Sequence, residues 1–377
     1  MKPACRLLSL ALTLSVGFAQ TITTVAGTGE PGFAGDGALA VMAQLNGVAT
    51  LALDAQGNLY IHDGINIRVR KVAPSGIITT VAGSGEISET VEGPALATGF
   101  ISIYDIATLP DGTLYIASAE GLQKVDTRGN LSFIVTGTSI PGGVRISKQG
   151  VFYTGGTTVI NQLNPDRSQT PVAGSDLGDS GDGGLATQAL FNLTDFTTDS
   201  VEDVYLADNV ANRVRKFTPG GKITPVAGNG TNDFSGDGGP GPQAQLNNPT
   251  GVAVDVAGNV YISDTANSRV RRVTTDGVIN TFAGSGPGDG TFNGDGGPAL
   301  SAVFANPTYL AVSCSALYVS DANRVRAIAL TDPLIVQRGI TNVITEAGFL
   351  RLPPSWNPPD CTRESETPNP REWSQLP

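Results

Sequence analysis

The stretch GVAVDVAGNVYISDTANSRVRRVTTDGVINTFAG, from Gly251 to Gly284, decides the fold of this chain. It contains four short runs of alternating apolar residues, separated by segments rich in Asn, Asp, Gly and Thr that favour turns. This pattern predicts a four-stranded antiparallel meander. One such sheet leaves a face and two edges uncovered, so copies of it must pack against each other to form a core.

Two markers count the copies along the chain. The second-strand marker occurs at Leu59-Tyr60-Ile61, Leu114-Tyr115-Ile116, Val151-Phe152-Tyr153, Val204-Tyr205-Leu206, Val260-Tyr261-Ile262 and Leu317-Tyr318-Val319. The fourth-strand marker occurs at Val25-Ala26-Gly27, Val81-Ala82-Gly83, Val135-Thr136-Gly137, Val172-Ala173-Gly174, Val226-Ala227-Gly228 and Phe282-Ala283-Gly284. The two series are offset, because the first ending precedes any complete unit and the last unit lacks one. The offset predicts an all-β, six-bladed β-propeller of four-stranded antiparallel blades, in which the N-terminal strand Thr21–Gly27 closes the ring and removes the free edges.

The segment Asp264-Thr265-Ala266-Asn267-Ser268-Arg269-Val270-Arg271 has counterparts at 63–70, 208–215 and 321–326. It resembles the NHL repeat of bacterial secreted propeller proteins. The resemblance covers residues 21–330 and implies the same six-bladed architecture. Units two and three depart from it, because 118–121 and 154–156 lack the Asp-Asn-Arg signature.

Composition and charge limit the classes of function. The chain has 377 residues and a formal net charge of −11, which becomes more negative if Lys2 and Arg6 are removed with a leader. Residues 1–19 have the pattern of a secretory signal peptide, with an apolar run too short to span a membrane. We therefore expect a secreted protein, extracellular or periplasmic after cleavage, that neither binds nucleic acid nor inserts into a membrane. A monomer is expected.

The signal peptide (1–19) is followed by the NHL-type propeller (20–330) and by a Pro-rich segment (331–377), a tail or an incomplete extra domain. Export permits a disulfide between Cys314 and Cys361. The alternative is a buried Cys314 and an exposed Cys361.

Several catalytic mechanisms are disfavoured by the residue types present. His62 is the single histidine, so any Ser-His-Asp or Cys-His system would have to use it. Its position matches Ala207 and Ser263 of other units, which favours a histidine at the surface near a strand end. The repeated arginines Arg68, Arg213, Arg269 and Arg324 are expected to bind carboxylates or carbonyls of a neighbouring blade as structural elements.

Four of the connections between units contain a Gly-Asp-Gly sequence. Their aspartates place carboxylates beside flexible backbone, and such oxygen ligands suit calcium; they are Asp36, Asp182, Asp237 and Asp295. The alternative is that each Gly-Asp-Gly is an ordinary tight turn followed by a small packing helix, such as that at 40–45. No cofactor other than calcium is indicated.

The innermost strands contain a second group of candidate residues. Counting ten residues back from the second-strand aromatic predicts that six residues lie at the channel mouth: Thr50, Asp105, Gly142, Asp195, Gly251 and Thr308. Asp105 and Asp195 belong to blades two and four, on either side of blade three, whose connection at 138–143 is short. This arrangement predicts a notch that admits a cation or a polyhydroxylated ligand. The alternative is that each aspartate binds backbone N–H groups at the start of its own strand.

The chain is therefore interpreted as a non-catalytic scaffold that binds an extracellular protein or a small polar ligand through its looped face. Propellers similar to the gluconolactonases suggest an alternative, a metal-dependent lactonase with a divalent cation at the channel mouth. In that case Asp105 and Asp195 would be ligands, and loop residues would have to complete the set.

Overall fold

A computed structural model describes residues 20–137, 142–287 and 292–330, which form six antiparallel sheets. Each sheet is one blade, numbered here by the order of its innermost strand in the chain. The strands are β1 (Ile22–Ala26); in blade 1, β2 (Val48–Leu53), β3 (Leu59–Asp63), β4 (Arg68–Val72) and β5 (Ile78–Ala82); in blade 2, β6 (Gly93–Pro94), β7 (Ile103–Thr108), β8 (Leu114–Ser118), β9 (Gly121–Val125) and β10 (Asn130–Thr136); in blade 3, β11 (Gly143–Ile146), β12 (Phe152–Gly155), β13 (Ile160–Leu163) and β14 (Gln169–Ala173); in blade 4, β15 (Leu193–Thr198), β16 (Val204–Asp208), β17 (Arg213–Phe217) and β18 (Ile223–Ala227); in blade 5, β19 (Gly239–Pro240), β20 (Pro249–Val254), β21 (Val260–Asp264), β22 (Arg269–Val273) and β23 (Val278–Ala283); in blade 6, β24 (Pro307–Val312), β25 (Ala316–Asp321) and β26 (Arg324–Ala329).

The ring closes as the sequence predicts. In blade 6 the strand order is β1-β26-β25-β24, and Ile22 of the N-terminal strand pairs with Ile328 near the end of the propeller. The innermost strands β2, β7, β11, β15, β20 and β24 contact their neighbours around a central channel. Every blade therefore has a neighbour on both sides, and the six-bladed prediction is confirmed.

The core consists of apolar layers between adjacent blades. Tyr60 of blade 1 packs with Ile106 and Leu114 of blade 2, and Tyr153 of blade 3 packs equivalently with Phe196 and Val204 of blade 4. Tyr153 is thus the counterpart of Tyr60. The marker of blade 3 is Phe152-Tyr153-Thr154, one residue later than the sequence pattern suggested.

The long connections run from the outermost strand of one blade to the innermost strand of the next, on one face of the ring that we call the looped face. Several contain a short 3-10 turn, such as Ala40–Met42 and Ala299–Ser301, where small packing helices were predicted. Each long connection also hydrogen-bonds to the outermost strand of the blade that it leads into. For example, Gly37 N–H in the connection into blade 1 donates to Ile78 O of β5 at 2.8 Å. The connection into blade 3 includes residues 138–141, which lie outside the described residues.

Gly284 ends the fourth strand of blade 5 in a left-handed conformation, with φ +95°, and a Cβ there would lie 2.6 Å from the carbonyl oxygen of Ser268. We expect Gly284→Ala to lower the free energy of unfolding by about 3 kcal/mol, because strain and overlap add. Gly277 is the control, since it has φ +83° and no atom lies within 4 Å of the point that a Cβ would occupy. Gly277→Ala should cost about 1 kcal/mol. If urea unfolding showed that the two variants lose the same free energy of unfolding, steric overlap at Gly284 would not contribute.

Within the described residues, no helix is long and apolar enough to cross a membrane. The predicted signal peptide and the Pro-rich segment lie outside the described residues, and both remain predictions.

Candidate functional site

The channel mouth on the looped face is lined by one residue from each innermost strand. Strand register places Thr50, Asp105, Gly143, Asp195, Gly251 and Tyr309 at equivalent positions. In blade 3 the position belongs to Gly143 rather than to Gly142, since the marker begins one residue later. In blade 6 it belongs to Tyr309 rather than to Thr308, because the turn between β24 and β25 is one residue shorter than its counterpart in blade 5.

A cavity of about 150 Å³ opens at this mouth over blade 3. Asp105 and Asp195, two of the residues predicted at the mouth, both line it. Thr50 and Thr308 are not among its lining residues. Thr50 is buried at 2% exposure, and its hydroxyl has no hydrogen-bond partner among the described residues.

The two carboxylates accept backbone hydrogen bonds from two blades each. Asp105 accepts from Ile106 N–H of its own strand and from Val144 N–H of blade 3, both at 2.8 Å. Asp195 accepts from Phe196 N–H at 2.9 Å and from Val252 N–H of blade 5 at 3.0 Å. The backbone-capping alternative therefore describes part of their role, and each aspartate also ties its blade to the next.

Arg145 lies between the two carboxylates. Its Nη1 contacts Asp105 Oδ2 and its Nη2 contacts Asp195 Oδ1, while Nη1 also donates to Val144 O at 2.7 Å. The side chain of Arg145 is 17% exposed, against 3% and 2% for the aspartates. A guanidinium therefore occupies the position between Asp105 and Asp195 at which the sequence suggested a cation.

The sequence reasoning missed Arg145, although a signal was available. Arg145 pairs with Tyr153, and the residues that pair with the equivalent tyrosines are small: Ala52, Ala107, Thr197, Ala253 and Ala311. A long cationic side chain at a position otherwise occupied by small residues indicates a local function or a local ion pair. We call Arg145, Asp105 and Asp195 the mouth clamp.

The electrostatics of the clamp follow from its burial. Burial and the neighbouring charge of Asp105 raise the pKa of Asp195 to about 6, although Arg145 opposes the shift. Burial alone would lower the pKa of Arg145, but the two carboxylates raise it above its usual value. Burial, with the charges of Asp195 and Asp105, raises the pKa of Tyr309 to about 12. The site thus holds one permanent cation, a neutral phenol and a carboxyl group that titrates at mildly acidic pH.

This shift predicts a pH dependence of stability. The pKa of Asp195 is raised from 3.8 to about 6 in the folded state, so the folded protein holds this proton more tightly than the unfolded chain does. The resulting contribution to the free energy of unfolding is fully present below pH 3.8 and is lost as the pH rises through 6. We expect it to amount to about 2 kcal/mol. Urea unfolding between pH 4 and pH 7 should show this decline in wild type and in Asp255→Asn, a control in a turn on the opposite face. If the Asp195→Asn variant still lost stability between pH 4 and pH 7 as wild type does, Asp195 would not be the titrating group.

Two glycines of blade 3, Gly143 and Gly155, line the cavity and let the Phe196 ring pack closely against the blade. A Cβ on Gly143 would lie 2.7 Å from the Phe196 ring, and a Cβ on Gly155 would lie 2.6 Å from the same ring. The remaining wall includes Tyr104, which is 43% exposed, and Tyr309. The mouth therefore combines aromatic surface with the clamp.

The aspartates of the Gly-Asp-Gly loops bind buried arginines. Arg70 contacts Asp36 at 2.7 Å, and Asp36 also accepts from the Thr80 hydroxyl at 2.6 Å. The same arrangement recurs with Arg271 and Asp237 at 2.7 Å and with Arg326 and Asp295 at 2.9 Å. In blade 4, Arg215 instead donates to Asp179, and its Nε lies 3.5 Å from Asp182 without a hydrogen bond. All four arginine side chains are fully buried. The geometry thus gives these four aspartates a structural role.

Calcium binding remains a prediction. Over the described ranges, the side chains include no group of three or more His, Cys, Asp and Glu that could hold a metal ion. A cation at the loops or at the mouth clamp would have to compete with an arginine for the same carboxylate.

The first arginine of each signature behaves as predicted only in part. Arg269 donates to the carbonyls of Asn267 at 3.1 Å and Ser285 at 3.0 Å, which lie in its own blade and its outgoing connection. Arg213 adds ion pairs with Asp179 and Asp182. In the described chain, the arginine two residues later makes the buried contacts with the loop aspartate.

The prediction that His62 lies at the surface is wrong. His62 is 4% exposed, and burial lowers its pKa to about 4. It is the second-strand residue opposite Val69, at a position that faces the interior in the other blades. Cys314 is disulfide-bonded, and its predicted partner Cys361 lies outside the described residues.

The sequence matches the teneurin NHL domain over residues 18–108 and 228–286. It is 24% identical over 280 residues to human Teneurin-1, covering 68% of this chain and 9% of that protein. It is 28% identical over 288 residues to mouse Teneurin-3, covering 70% of this chain and 10% of that protein. The chain thus spans a small fraction of the length of these curated relatives.

Solved structures share the fold at low sequence identity. An auxiliary nutrient binding protein from Bacteroides ovatus has a TM-score of 0.58 and 16% identity, covering 82% of this chain and 76% of that one. A structural genomics protein from Bacteroides thetaiotaomicron has a TM-score of 0.65 and 19% identity, with the same coverages. A gluconolactonase from Xanthomonas campestris has a TM-score of 0.51 and 11% identity, covering 83% of this chain and 90% of that one. The ring topology makes the chain a six-bladed β-propeller, and its repeat signature and partial domain match are similar to those of NHL-repeat proteins.

Proposed function

We propose that this chain is an exported, non-catalytic propeller that binds a small hydroxyl-bearing ligand at the channel mouth over blade 3. The observation that carries the proposal is the mouth clamp beside an open cavity with aromatic walls. The likeness to bacterial nutrient-binding propellers concerns the fold alone and is consistent with such a role.

The hydrogen-bonding capacity left in the clamp supports this class of ligand. Asp105 Oδ1 and Asp195 Oδ2 each accept one bond from the described residues, so each retains a free lone pair. Arg145 is not among the residues that line the cavity, so its role is to hold the two carboxylates in place. A hydroxyl group of a polyol can donate to the free carboxylate lone pairs, while Tyr104 offers an aromatic face to its C–H groups.

Two features support export. Residues 1–19 have the pattern of a signal peptide, and Cys314 is disulfide-bonded, as is usual in oxidising compartments. Mass spectrometry of the protein recovered from the periplasm or medium should find Gln20 at the N-terminus. An uncleaved chain confined to the cytoplasm would contradict export.

Titration calorimetry with glucose, maltose and cellobiose tests the ligand class. We expect saturable binding to wild type, and at least about tenfold weaker binding by Tyr104→Ser, which removes one aromatic wall of a small site. Val256→Ser, whose side chain is 64% exposed on the opposite face, is the matched control and should bind as wild type does. Absence of binding to all three sugars, or equal weakening in both variants, would contradict the proposal.

The alternative is a metal-dependent lactonase at the same mouth. Thermal unfolding with calcium and with a chelator, together with assays on aldonolactones, distinguishes the two, because a bound ion raises the melting midpoint. A calcium-dependent shift with lactone hydrolysis that is lost in Asp105→Asn would replace the binding proposal. The position of Arg145 between the two carboxylates favours the non-catalytic function.

A further inference from the structure

The connection into blade 2, residues 83–102, differs from the other long connections. It lacks Gly-Asp-Gly, and blade 2 has Gln123 at the position where blade 5 has the buried Arg271. Gln123 Nε2 donates to the Ser118 hydroxyl at 3.0 Å. The carboxylates of this connection, which we call the blade-2 loop, therefore have no buried guanidinium beneath them.

The blade-2 loop exposes acidic and apolar side chains close together in sequence. Glu86, Glu89 and Glu92 are exposed, and between them lie Ile87 at 74% exposure and Val91 at 66%. Ile101 follows at 48%, next to the channel mouth. Exposed apolar side chains edged by charge are typical of protein-binding surfaces.

The loop is braced by its own hydrogen bonds, so the exposed side chains stand on a defined backbone. Phe100 N–H donates to Glu86 O at 3.3 Å, and Val91 N–H donates to the Thr98 hydroxyl at 2.9 Å. Thr90 N–H donates to Glu120 at 2.6 Å. Phe100 itself is fully buried. A surface that is already ordered loses little entropy when a partner binds.

The charge of the looped face favours a cationic partner. Its described cationic side chains are all arginines that are engaged with carboxylates, carbonyls or phenylalanine rings. The lysines lie towards the opposite face, at Lys71, Lys124, Lys148, Lys216 and Lys222. The looped face is therefore acidic around the blade-2 loop. A second copy would present the same acidic loop, and like charges disfavour that pairing.

We propose that the blade-2 loop is a docking site for a protein segment in which apolar side chains are flanked by Lys or Arg. Ile87 and Val91 receive the apolar side chains, and Glu86 and Glu89 face the cationic groups. This site is separate from the mouth clamp, so it does not depend on the small-ligand proposal.

Fluorescence anisotropy tests the docking site, with labelled fifteen-residue peptides that alternate leucine with lysine, with serine or with glutamate, and with the full propeller. We expect the lysine peptide to bind most tightly and to weaken as salt is raised. Ile87→Ser with Val91→Ser should weaken it at least about tenfold, because two aliphatic side chains lose their burial. Leu300→Ser is the matched control, since Leu300 is 57% exposed in the connection into blade 6.

Glu86→Gln with Glu89→Gln should also weaken the lysine peptide and reduce its salt dependence. A photoreactive leucine analogue in the peptide should crosslink within residues 86–101. Equal affinity of the three peptides, an unchanged affinity in the Ile87/Val91 variant, or an equal effect of Leu300→Ser would overturn the docking site. Sugar titrations of the same variants keep the two proposals distinguishable, because loop variants should retain binding at the mouth.

Discussion

Arg145→Met is expected to lower the free energy of unfolding by about 3–5 kcal/mol at pH 8, because it leaves two buried carboxylates without their cation. Asp105 and Asp195 would retain only backbone N–H donors. The loss should be smaller at pH 5, where Asp195, whose pKa is raised to about 6, can take up a proton. Urea unfolding at the two pH values measures both effects.

The matched variant restores charge balance at the same site. Arg145→Met combined with Asp105→Asn and Asp195→Asn removes all three charges and should recover most of the lost stability, since a neutral site needs no cation. If the single Arg145→Met variant were as stable as wild type at both pH values, the clamp would not hold blades 2, 3 and 4 together.

Arg271→Met is expected to have an effect of similar size in blade 5, about 3–5 kcal/mol. Its fully buried guanidinium contacts Asp237 at 2.7 Å and Asp264 at 3.3 Å, and it donates to two loop carbonyls. Removing it leaves the buried Asp264 without a cation and releases the loop that carries Asp237. Arg269→Met is the control, with a cost of about 1 kcal/mol, because Arg269 binds carbonyls near the surface.

Blade 2 has a neutral residue pair that can replace the buried Asp264–Arg271 pair of blade 5. There Ser118 and Gln123 occupy the places of Asp264 and Arg271 and form a neutral hydrogen bond. Asp264→Ser combined with Arg271→Gln should therefore be more stable than Arg271→Met. Urea unfolding of wild type, Arg271→Met and the Asp264→Ser/Arg271→Gln double variant measures this difference in stability. A double variant no better than the single one would mean that the loop aspartate, rather than the buried carboxylate, carries the effect.

The fold could be predicted because its evidence is repeated along the chain. Apolar alternation and six copies of two markers specify the blades, and the offset between the markers specifies how the ring closes. The positions of Asp105 and Asp195 in the innermost strands could also be counted from the repeat. These features depend on local sequence and on repeat number, both of which can be read directly.

The contents of the site were harder to predict, because they depend on which side chains meet across blades. Arg145 is three residues from the expected mouth residue, Gly142, and only the structure reveals that it reaches both neighbouring blades. Thr308 was selected in place of Tyr309 because a single deletion in one turn shifts the count. Three of the loop aspartates resembled calcium ligands because the buried arginines that bind them lie 31–34 residues away in sequence.

The pairing of β1 with β26 has a consequence for biogenesis. Blade 6 takes one strand from residues 22–26 and three from residues 307–329, so its sheet cannot form until nearly the whole propeller has been synthesised. Until then β1 has no partner strand, and the open ring has two unpaired strand edges. Strands of other chains can pair with these edges. Export in an unfolded state would delay folding until both ends are available in one compartment.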